Sequence, residues 1–526
     1  MMTKKSEPTE MCNLSSSEAN GQEASPQQAA GYGLIHIHTN NNDEVIAPPK
    51  SVDDIEMTLH HEPNDSKDDA SYGEENDAAA IMDNRPLTKL EIWNLVFCVL
   101  AWACTIANVT LVVGTSNVVL LSIGGDPSLS SVPLATFFMG ASLVSLLVTP
   151  WHFVRLGRKL GFLAGVCLGL LGSGLGCWAV WISSTALLIV ATACFGAAMG
   201  IGFYLRFAAV EVVPFHWADK AVTLVVSGGC IAAFAGPESA EGTRGKFGDE
   251  EHLLYLGVFI MTAIFNVANG IFTASVQFPD TSSSPAKKQT SHINNSPPHW
   301  PQRVWAILQS RNFIVPMLIS AGSWIIMALP MSVLRVAMHQ VGFSSRQSLL
   351  TIELHFFGMY APGFFTGRWI ASYGPRVVAV GSVAVFLAAL ACLQTTNEYN
   401  DDSSNIALWI VGMVLIGVGW NCAFSGSTVG STRAYNSRPD CKSAIQAAND
   451  GLTFLLAGAV ICSASSIYQA GGEGMEGWRV VNWVVVGFIG VFSLILFLDV
   501  VMDRFSLSGA GVQVDVWSLP SSKIPK

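Results

Sequence analysis

Charged residues are scarce in this sequence. Only 13% of its 526 residues are Asp, Glu, Lys or Arg, and 51% are hydrophobic. Soluble globular chains carry about 25% charged residues, so this composition excludes a soluble multidomain protein and is typical of a protein that crosses the membrane many times. The net charge of −10 identifies no binding partner, because the acidic residues are concentrated in the N-terminal tail and in two loops.

Signatures of catalysis and of metal binding are also missing. The sequence contains no glycine-rich phosphate loop and no H-E-x-x-H motif, which argues against an enzyme and against an ATP-driven pump. Most of the 11 cysteines lie inside apolar runs without the spacing of metal ligands, so we interpret them as packing residues. We therefore expect no metal site, no cofactor and no nucleic-acid partner.

A secretory signal peptide is lacking, because the first apolar run begins only near Ile92. We expect that run to act as an uncleaved signal anchor. The preceding residues, 1–88, are rich in Ser, Asn, Glu, Asp and Gln and have no apolar periodicity. This composition predicts a disordered cytoplasmic tail.

Twelve apolar runs dominate the rest of the chain. Each is near or above the roughly 20 residues that a helix needs to cross the hydrocarbon layer. We number them spans 1 to 12: 92–121, 132–152, 160–182, 186–209, 220–237, 253–278, 313–338, 347–371, 376–395, 405–429, 443–469 and 479–501. The runs predict an all-α membrane protein with twelve transmembrane helices.

The twelve spans divide into two sets of six, which predicts two pseudo-symmetric six-helix bundles. The predicted boundaries are 1–88 for the N-terminal tail, 89–278 for the N-terminal bundle, 279–312 for a cytoplasmic inter-bundle loop, 313–501 for the C-terminal bundle and 502–526 for a cytoplasmic C-terminal tail. Lys and Arg cluster in the loops on one side of this arrangement. That side is therefore predicted to be cytoplasmic, with both termini on it.

A short basic turn follows the second span of each half. The first turn, 154–161, reads V-R-L-G-R-K-L-G, and the second, 367–376, reads G-R-W-I-A-S-Y-G-P-R. In each, a glycine (Gly157 or Gly374) permits a tight turn, and neighbouring cations favour the cytoplasmic side. Two matching turns at equivalent places indicate an internally duplicated membrane protein.

The paired turns resemble the basic loops between helices 2 and 3, and between helices 8 and 9, of the major facilitator superfamily of secondary transporters. That family's pattern is roughly G-x-L-A-D-R-x-G-R-R. Here Val154 and Ala371 stand at the acidic position, so the basic half of the motif is present and the carboxylate is not. The resemblance covers about Ile92 to Val501 by span count, and it names no subfamily.

In that family, helices 1, 4, 7 and 10 line a central cavity. The resemblance therefore implies that polar and aromatic residues of the matching spans contact a solute. These candidates are Asn108, Asn117, Tyr204, Trp324, Trp420 and Asn421. For the two tryptophans, packing between helices is an equal alternative. Cations are few in these spans, which favours a neutral or singly charged organic solute.

Ionisable residues inside spans are candidates for ion coupling, because burying a charge is costly without a role. Glu353 and His355 lie in the outer half of span 8. They are two residues apart and so point to different helix faces. A buried carboxyl group can carry a proton, and we therefore expect proton rather than sodium coupling. The alternative for Glu353 is that its side chain reaches the outer interface.

A conformational latch at the cytoplasmic side is a further hypothesis. In the resembling family, the aspartate of the turn braces helix 2 against the start of helix 11. Here span 11 carries Asp450, which could pair with Arg155 or Arg158 instead, and the alternative is an Asp450–Arg206 bridge across the inner cavity. The complete set of latch candidates is Arg155, Gly157, Arg158, Arg206, Gly367, Gly374, Arg376 and Asp450.

The sequence predicts a monomeric, proton-coupled secondary transporter of a small organic solute that works by alternating access in the lipid bilayer. The plasma membrane is preferred over an endomembrane. The alternative is a non-transporting membrane sensor or scaffold on the same fold, which the lost carboxylate of both turns favours. A membrane-embedded enzyme would need a catalytic cluster that the sequence does not contain.

Overall fold

The computed structural model describes residues 85–214, 217–248, 250–278, 300–397, 403–434, 441–472, 474–506 and Trp517. Apart from 85–88, the predicted N-terminal tail lies outside the described residues. The same holds for 279–299 of the predicted inter-bundle loop and for most of the predicted C-terminal tail. Every regular element in the described ranges is helical.

The helices follow the predicted spans closely. In the first half they are Lys89–Ser122, Val132–Leu143, Thr149–Trp181, Thr185–Gly202, Leu205–Ala208, Ala218–Ser227, Gly229–Thr243 and Leu256–Ser275. In the second half they are Trp300–Leu308, Arg311–Gln340, Ser345–Tyr360, Gly363–Tyr373, Pro375–Gln394, Ser403–Arg433, Lys442–Ile461, Ala464–Ala470 and Gly474–Ser506.

Short non-α turns connect or interrupt these helices. A π-helical turn, Val144–Val148, joins the helix of span 2 to the helix that carries the first basic turn. The 3-10 turn Pro127–Leu129 follows span 1. Asp126, which directly precedes this turn, accepts hydrogen bonds from the backbone amide and the side-chain hydroxyl of Ser128, each 2.8 Å long. These bonds hold the pKa of Asp126 below its usual range.

Eleven helical segments of the described residues are long and apolar enough to cross a membrane. Predicted span 8 is not in that set, because it consists of two helices of 16 and 11 residues, Ser345–Tyr360 and Gly363–Tyr373. Pro362 lies at the break. Proline lacks an amide proton and clashes with the preceding turn, which explains the interruption. The broken helix still occupies the eighth position of the twelve.

Both predicted basic turns bend at their glycines. Gly157 has φ 73° at a kink that divides Thr149–Trp181 into two helical stretches, and Gly374 has φ 90° between two helices. The left-handed region favours glycine, because a Cβ atom there would meet the following carbonyl group. Each half of the chain therefore has a glycine-dependent turn at the equivalent position.

Small residues bring helix backbones together within each half. A Cβ atom on Gly196 in span 4 would lie 1.8 Å from the carbonyl oxygen of Phe137 in span 2. In the same way, a Cβ atom on Gly417 in span 10 would lie 2.6 Å from the carbonyl oxygen of His355 in span 8. Only glycine allows approaches this close, which is a common way for helices to pack in a membrane.

Candidate functional site

A cluster of seven buried aromatic side chains lies where the two halves meet. We call it the aromatic cluster. Its members are Trp102 of span 1, Phe138 of span 2, Phe203 at the end of span 4, Trp324 of span 7, Trp420 and Phe424 of span 10, and Phe454 of span 11. These residues come from three spans of each half, so the cluster crosses the interface between the two halves.

Trp324 lies at the centre of the aromatic cluster. Its ring centroid is 5.1 Å from Trp420, 5.5 Å from Phe138 and 5.5 Å from Phe454. The other contacts extend outward from it, since Phe424 stacks on Trp420 at 4.8 Å with an interplanar angle of 12°. Such edge-to-face and stacked pairs stabilise by about 0.5–1.5 kcal/mol beyond burial. The structure thus brings predicted residues Trp324 and Trp420 together.

A buried ion pair joins the halves at the predicted inner end. Arg206 Nη2 donates to both carboxylate oxygens of Asp450, at 2.7 and 2.8 Å. Both side chains are almost fully buried, with 1% and 3% exposed. Of the pairings considered for Asp450, the structure therefore has the Arg206 bridge. The hypothesis of an Asp450 contact with Arg155 or Arg158 is wrong for this conformation.

Arg158 has a different acidic partner. Its Nε donates to Glu211 Oε2 at 3.0 Å, and its guanidinium group lies 5.0 Å from the Phe153 ring centroid. Glu211 lies in the 3-10 turn that ends span 4. This places Arg158 within the first half, because the turn after span 2 and the end of span 4 are both there. Arg155 also belongs to this turn, with its side chain exposed.

Charged residues also connect the halves at the predicted outer end. Arg346, directly before span 8, donates to Glu238, directly after span 5, at 2.7 Å. The same nitrogen lies 3.9 Å from Oε1 of Glu353, whose side chain is only 2% exposed. Glu353 Oε1 has no hydrogen-bond partner in the described part of the chain. Glu353 is therefore buried beneath an ionic contact and does not reach the surface.

Hydroxyl groups close the outer end on the opposite side of the interface. Ser130, before span 2, and Ser465, in the outer part of span 11, share a hydrogen bond of 2.7 Å. Beside them lies a cavity of about 200 Å³, lined also by Gln340 and Tyr468, which hydrogen-bond to each other. With contacts at both ends, the interface is occluded in this structure.

His355 lies apart from Glu353, as the two-residue spacing predicts. It is fully buried, and its Nδ1 lies 2.7 Å from the carbonyl oxygen of Met413 in span 10. Its Nε2 has no partner among the described residues. His355 therefore packs within the second half, whereas Glu353 lies beside the Arg346–Glu238 contact between the halves.

The asparagine candidates occupy three different environments. Asn117 Nδ2 donates to the carbonyl oxygen of Ser332 in span 7 at 3.0 Å and so links the halves. Asn108 instead lines a small cavity of about 20 Å³ within the first half, together with Thr105 and Asn269. Span 1 turns Asn108 toward spans 3, 4 and 6, and its contact with a solute stays a prediction.

Asn421 braces the break in span 8. Its Nδ2 donates to the carbonyl oxygen of Met359 at 2.7 Å, and its Oδ1 accepts from Thr366 Oγ1 at 2.7 Å. The proline interrupts the helical hydrogen bonds between these two positions, and the amide replaces them. Both polar atoms of Asn421 are occupied, so the structure does not support its prediction as a solute ligand.

Tyr204 is buried beside the first basic turn. Its ring lies 5.5 Å from Phe153 and 5.8 Å from Phe207 by centroid distance. This position is near Arg206, at the inner margin of the aromatic cluster. Tyr204 therefore belongs to the inner end of the interface and not to the cluster itself.

The second basic turn also contacts mainly its own half. Arg376 Nε lies 2.9 Å from Asp499 Oδ2, and its Nη1 lies 2.8 Å from Asp503 Oδ2, both in the helix Gly474–Ser506. These two contacts lie within the second half, and the role of Arg376 as a latch stays a prediction. Gly367 does meet the other half, since a Cβ atom there would lie 2.8 Å from Thr223 of span 5.

Sequence reasoning missed two buried side chains. Arg335 of span 7 is 6% exposed and donates to the carbonyl oxygen of Gly114 in span 1 at 3.2 Å. Together with Arg206, it corrects the expectation that the cavity spans carry few deep cations. Trp517, in the C-terminal tail, is buried and donates from Nε1 to Asp499 at 3.0 Å. The sequence has no signal for either contact, because both depend on how the helices pack in the folded protein.

Comparisons with known proteins agree with this geometry. A sequence model of the Major Facilitator Superfamily matches residues 98–455. The riboflavin transporter RfnT of Brucella anthropi is 24% identical over 412 residues, which cover 77% of this chain and 95% of that protein. The uncharacterised MFS-type transporter YddS of Bacillus subtilis is 27% identical over 305 residues, covering 56% and 67% of the two chains.

Solved structures share the fold. A D-xylose-proton symporter superposes with a TM-score of 0.56 at 13% identity, over 76% of this chain and 96% of that one. The transporter FucP in its outward conformation gives a TM-score of 0.52 at 11% identity, over 77% and 98%. At these identities the likeness establishes the fold alone, and it confirms the predicted all-α arrangement of membrane-spanning helices.

Proposed function

Because this chain belongs to the Major Facilitator Superfamily, we propose that it moves a small organic solute across a membrane by alternating access, with a proton as the coupling ion. It is a multi-span integral membrane protein of a transporter family. The proposal covers the solute, the proton coupling, the plasma-membrane location, the cytoplasmic termini and the monomeric state.

One observation carries the proposal: charged contacts join the two halves at opposite ends of an interface whose middle is aromatic. The Arg206–Asp450 pair lies at one end and the Arg346–Glu238 pair at the other. Opening one end requires only that its contact breaks while the other holds. The two halves can then rock about the aromatic cluster, which is how transporters with repeated halves give alternating access.

Proton coupling rests on the position of Glu353. Its carboxyl group is buried and competes with Glu238 for the single guanidinium group of Arg346. Neutralising Glu353 with a proton would leave Arg346 to Glu238 alone, and losing that proton would return a charge to the outer contact. Protonation therefore changes the energy of the outer contact, as coupling requires.

The relative that is named as a riboflavin transporter supports an organic solute. The sensor or scaffold alternative receives no support from the buried contacts. Two separable charged contacts at opposite ends of an interface have an evident use in a transport cycle and none in a static scaffold.

The test uses the purified full chain in liposomes that contain a trapped pH dye. We expect solute-dependent proton uptake, and we expect Glu353→Gln to lose it while retaining solute exchange. Glu241→Gln is the matched control, since Glu241 also lies at the outer end but pairs locally with Arg244 at 3.6 Å. Solute flux without proton movement in the unmodified protein would rule out the coupling and remove Glu353 from the mechanism.

A further inference from the structure

Five buried hydrogen-bond donors, carried by four residues around the aromatic cluster, have no partner in the described part of the chain. They are the indole Nε1 groups of Trp102, Trp324 and Trp420, and the Nε and Nη1 groups of Arg206. Each residue is at most 2% exposed. The four come from spans 1, 7, 10 and 4, so both halves contribute.

From this arrangement we propose that the aromatic cluster is the solute site and that its substrates are planar heteroaromatic compounds with hydrogen-bond acceptors along the ring edge. This inference rests on the proposed transport function and specifies its substrate class. It adds the donors of Trp102 and Arg206, and the chemistry of the solute, to the two tryptophans identified from sequence.

Unpaired donors indicate a missing acceptor. Most buried polar groups in proteins are hydrogen-bonded, and leaving one unpaired carries an energetic penalty. In this occluded conformation the cluster rings pack against one another, and the indole N–H groups have no acceptor among the described residues. A solute that separates the rings would accept these hydrogen bonds, and the penalty of the closed state would favour its binding.

The surrounding rings specify the shape of the solute. Trp420 and Phe424 already stack nearly parallel at 4.8 Å, and the Trp102 and Phe203 ring centroids lie 5.1 Å apart with an interplanar angle of 51°. Flat apolar faces bind flat rings well, because stacking on an aromatic side chain is tolerant of ring identity. A sugar has no flat aromatic ring, so it would gain less from stacking between these side chains.

Arg206 adds an electrostatic preference at the inner margin. One nitrogen, Nη2, holds Asp450, while Nε and Nη1 remain available. The guanidinium carbon lies 5.5 Å from the Phe203 ring centroid and 5.2 Å from that of Phe424, so the cation borders the cluster directly. A carbonyl or ring-nitrogen acceptor on the solute edge would face these donors.

The first experiment measures uptake of four radiolabelled probes by liposomes that contain the full-length protein. Riboflavin and xanthine are planar and rich in acceptors, whereas ribitol and D-xylose are polyhydroxylated and have no aromatic ring. We expect saturable uptake of at least one planar probe and none of ribitol. Uptake of ribitol or D-xylose without either planar probe would overturn the substrate class while leaving the transport function in place.

The second experiment separates donors from rings. Trp324→Phe and Trp420→Phe keep an aromatic face and remove the N–H group, so KM for the planar probe should rise about tenfold with little change in maximal rate. The matched control is Trp409→Phe, because Trp409 Nε1 is also buried and unpaired but its ring stacks on Trp478, outside the cluster, at 4.7 Å.

The variants must be folded for the comparison to count, which their thermal unfolding midpoints establish. An equal rise in KM for Trp409→Phe, or an unchanged KM for both cluster variants, would overturn the assignment of the site.

Discussion

Asn421 shows how a residue can have the expected chemistry and a different task. Polar side chains inside a membrane span must find partners, and the sequence predicts that Asn421 finds one in a solute. The structure supplies the partners from span 8 instead, through Met359 and Thr366. The location of the polar atom was predictable from sequence, but its partner depends on where a neighbouring helix breaks.

We expect Asn421→Ala to destabilise the protein by about 1–3 kcal/mol, because it leaves the Met359 carbonyl group without its donor. The thermal unfolding midpoint in detergent measures this loss. Asn482→Ala is the control: Asn482 is also buried, yet neither of its amide atoms has a partner among the described residues. A loss at Asn482 as large as that at Asn421 would contradict the bracing role.

The sequence could not specify which side chains pair with one another in the folded protein. Asp450 had three arginines within plausible reach, and the choice among them depends on how spans 4 and 11 cross. Glu353 was correctly predicted to differ in direction from His355, since that follows from helical spacing alone. Its neighbour Glu238 comes from another bundle, and no local pattern relates the two.

At the scale of elements, the sequence was far more informative. Hydrophobic runs of membrane-spanning length give helix positions to within a few residues, because only helices satisfy their own backbone groups in lipid. The glycine turns were also predictable, since a glycine between a long apolar run and its successor has few other uses. The break of span 8 could have been predicted from Pro362, yet the apolar run continues across it.

Two glycines, Gly157 in the first basic turn and Gly174 in the third span, test the turn directly. Gly157 has φ 73° at a kink, whereas Gly174 lies in the helix that follows, and a Cβ atom at either position would meet nothing within 4 Å. We expect Gly157→Ala to destabilise by about 1–2 kcal/mol, because an L-residue is strained there. Gly174→Ala should stabilise by up to about 1 kcal/mol, because alanine favours helix. Thermal unfolding of both variants measures the two signs, and equal shifts would contradict the turn's role.

The C-terminal tail shows where element-level prediction ends. Trp517 inserts at the inner end of the second half, where Gly430 has no room for a Cβ atom, since Trp517 Cε3 would lie 2.4 Å away. Asp499, which accepts the indole hydrogen bond, also pairs with Arg311 and Arg376. A single tryptophan in a polar tail carries no periodic signal, so only the folded arrangement reveals this contact.

For the whole molecule, the two ends of the interface differ in energy. The inner pair is buried, whereas Arg346 and Glu238 are 61% and 48% exposed at the outer end. Exposed ion pairs contribute little because water and salt screen them, while removing one partner of a buried pair costs about 3–5 kcal/mol. The inner contact should therefore dominate the balance between outward-open and inward-open states.

We expect Asp450→Asn to shift the protein strongly toward an open inner end, because Arg206 keeps its charge and is hydrated only when that end opens. Arg346→Gln should open the outer end by a much smaller fraction, given the exposure of its pair. Pulsed EPR distances between spin labels report both shifts, with labels at Lys220→Cys and Tyr373→Cys for the inner end.

The outer end is labelled at Asp126→Cys and Glu476→Cys. Both pairs of positions are exposed in this structure, and the exposed native thiols of Cys167 and Cys462 are replaced by serine beforehand. Arg206→Gln combined with Asp450→Asn is the matched control, because it removes the unpaired charge and should recover part of the closed population. If Asp450→Asn leaves the inner distance and the transport rate unchanged, the Arg206–Asp450 pair is a packing contact and the inner end is held by other means.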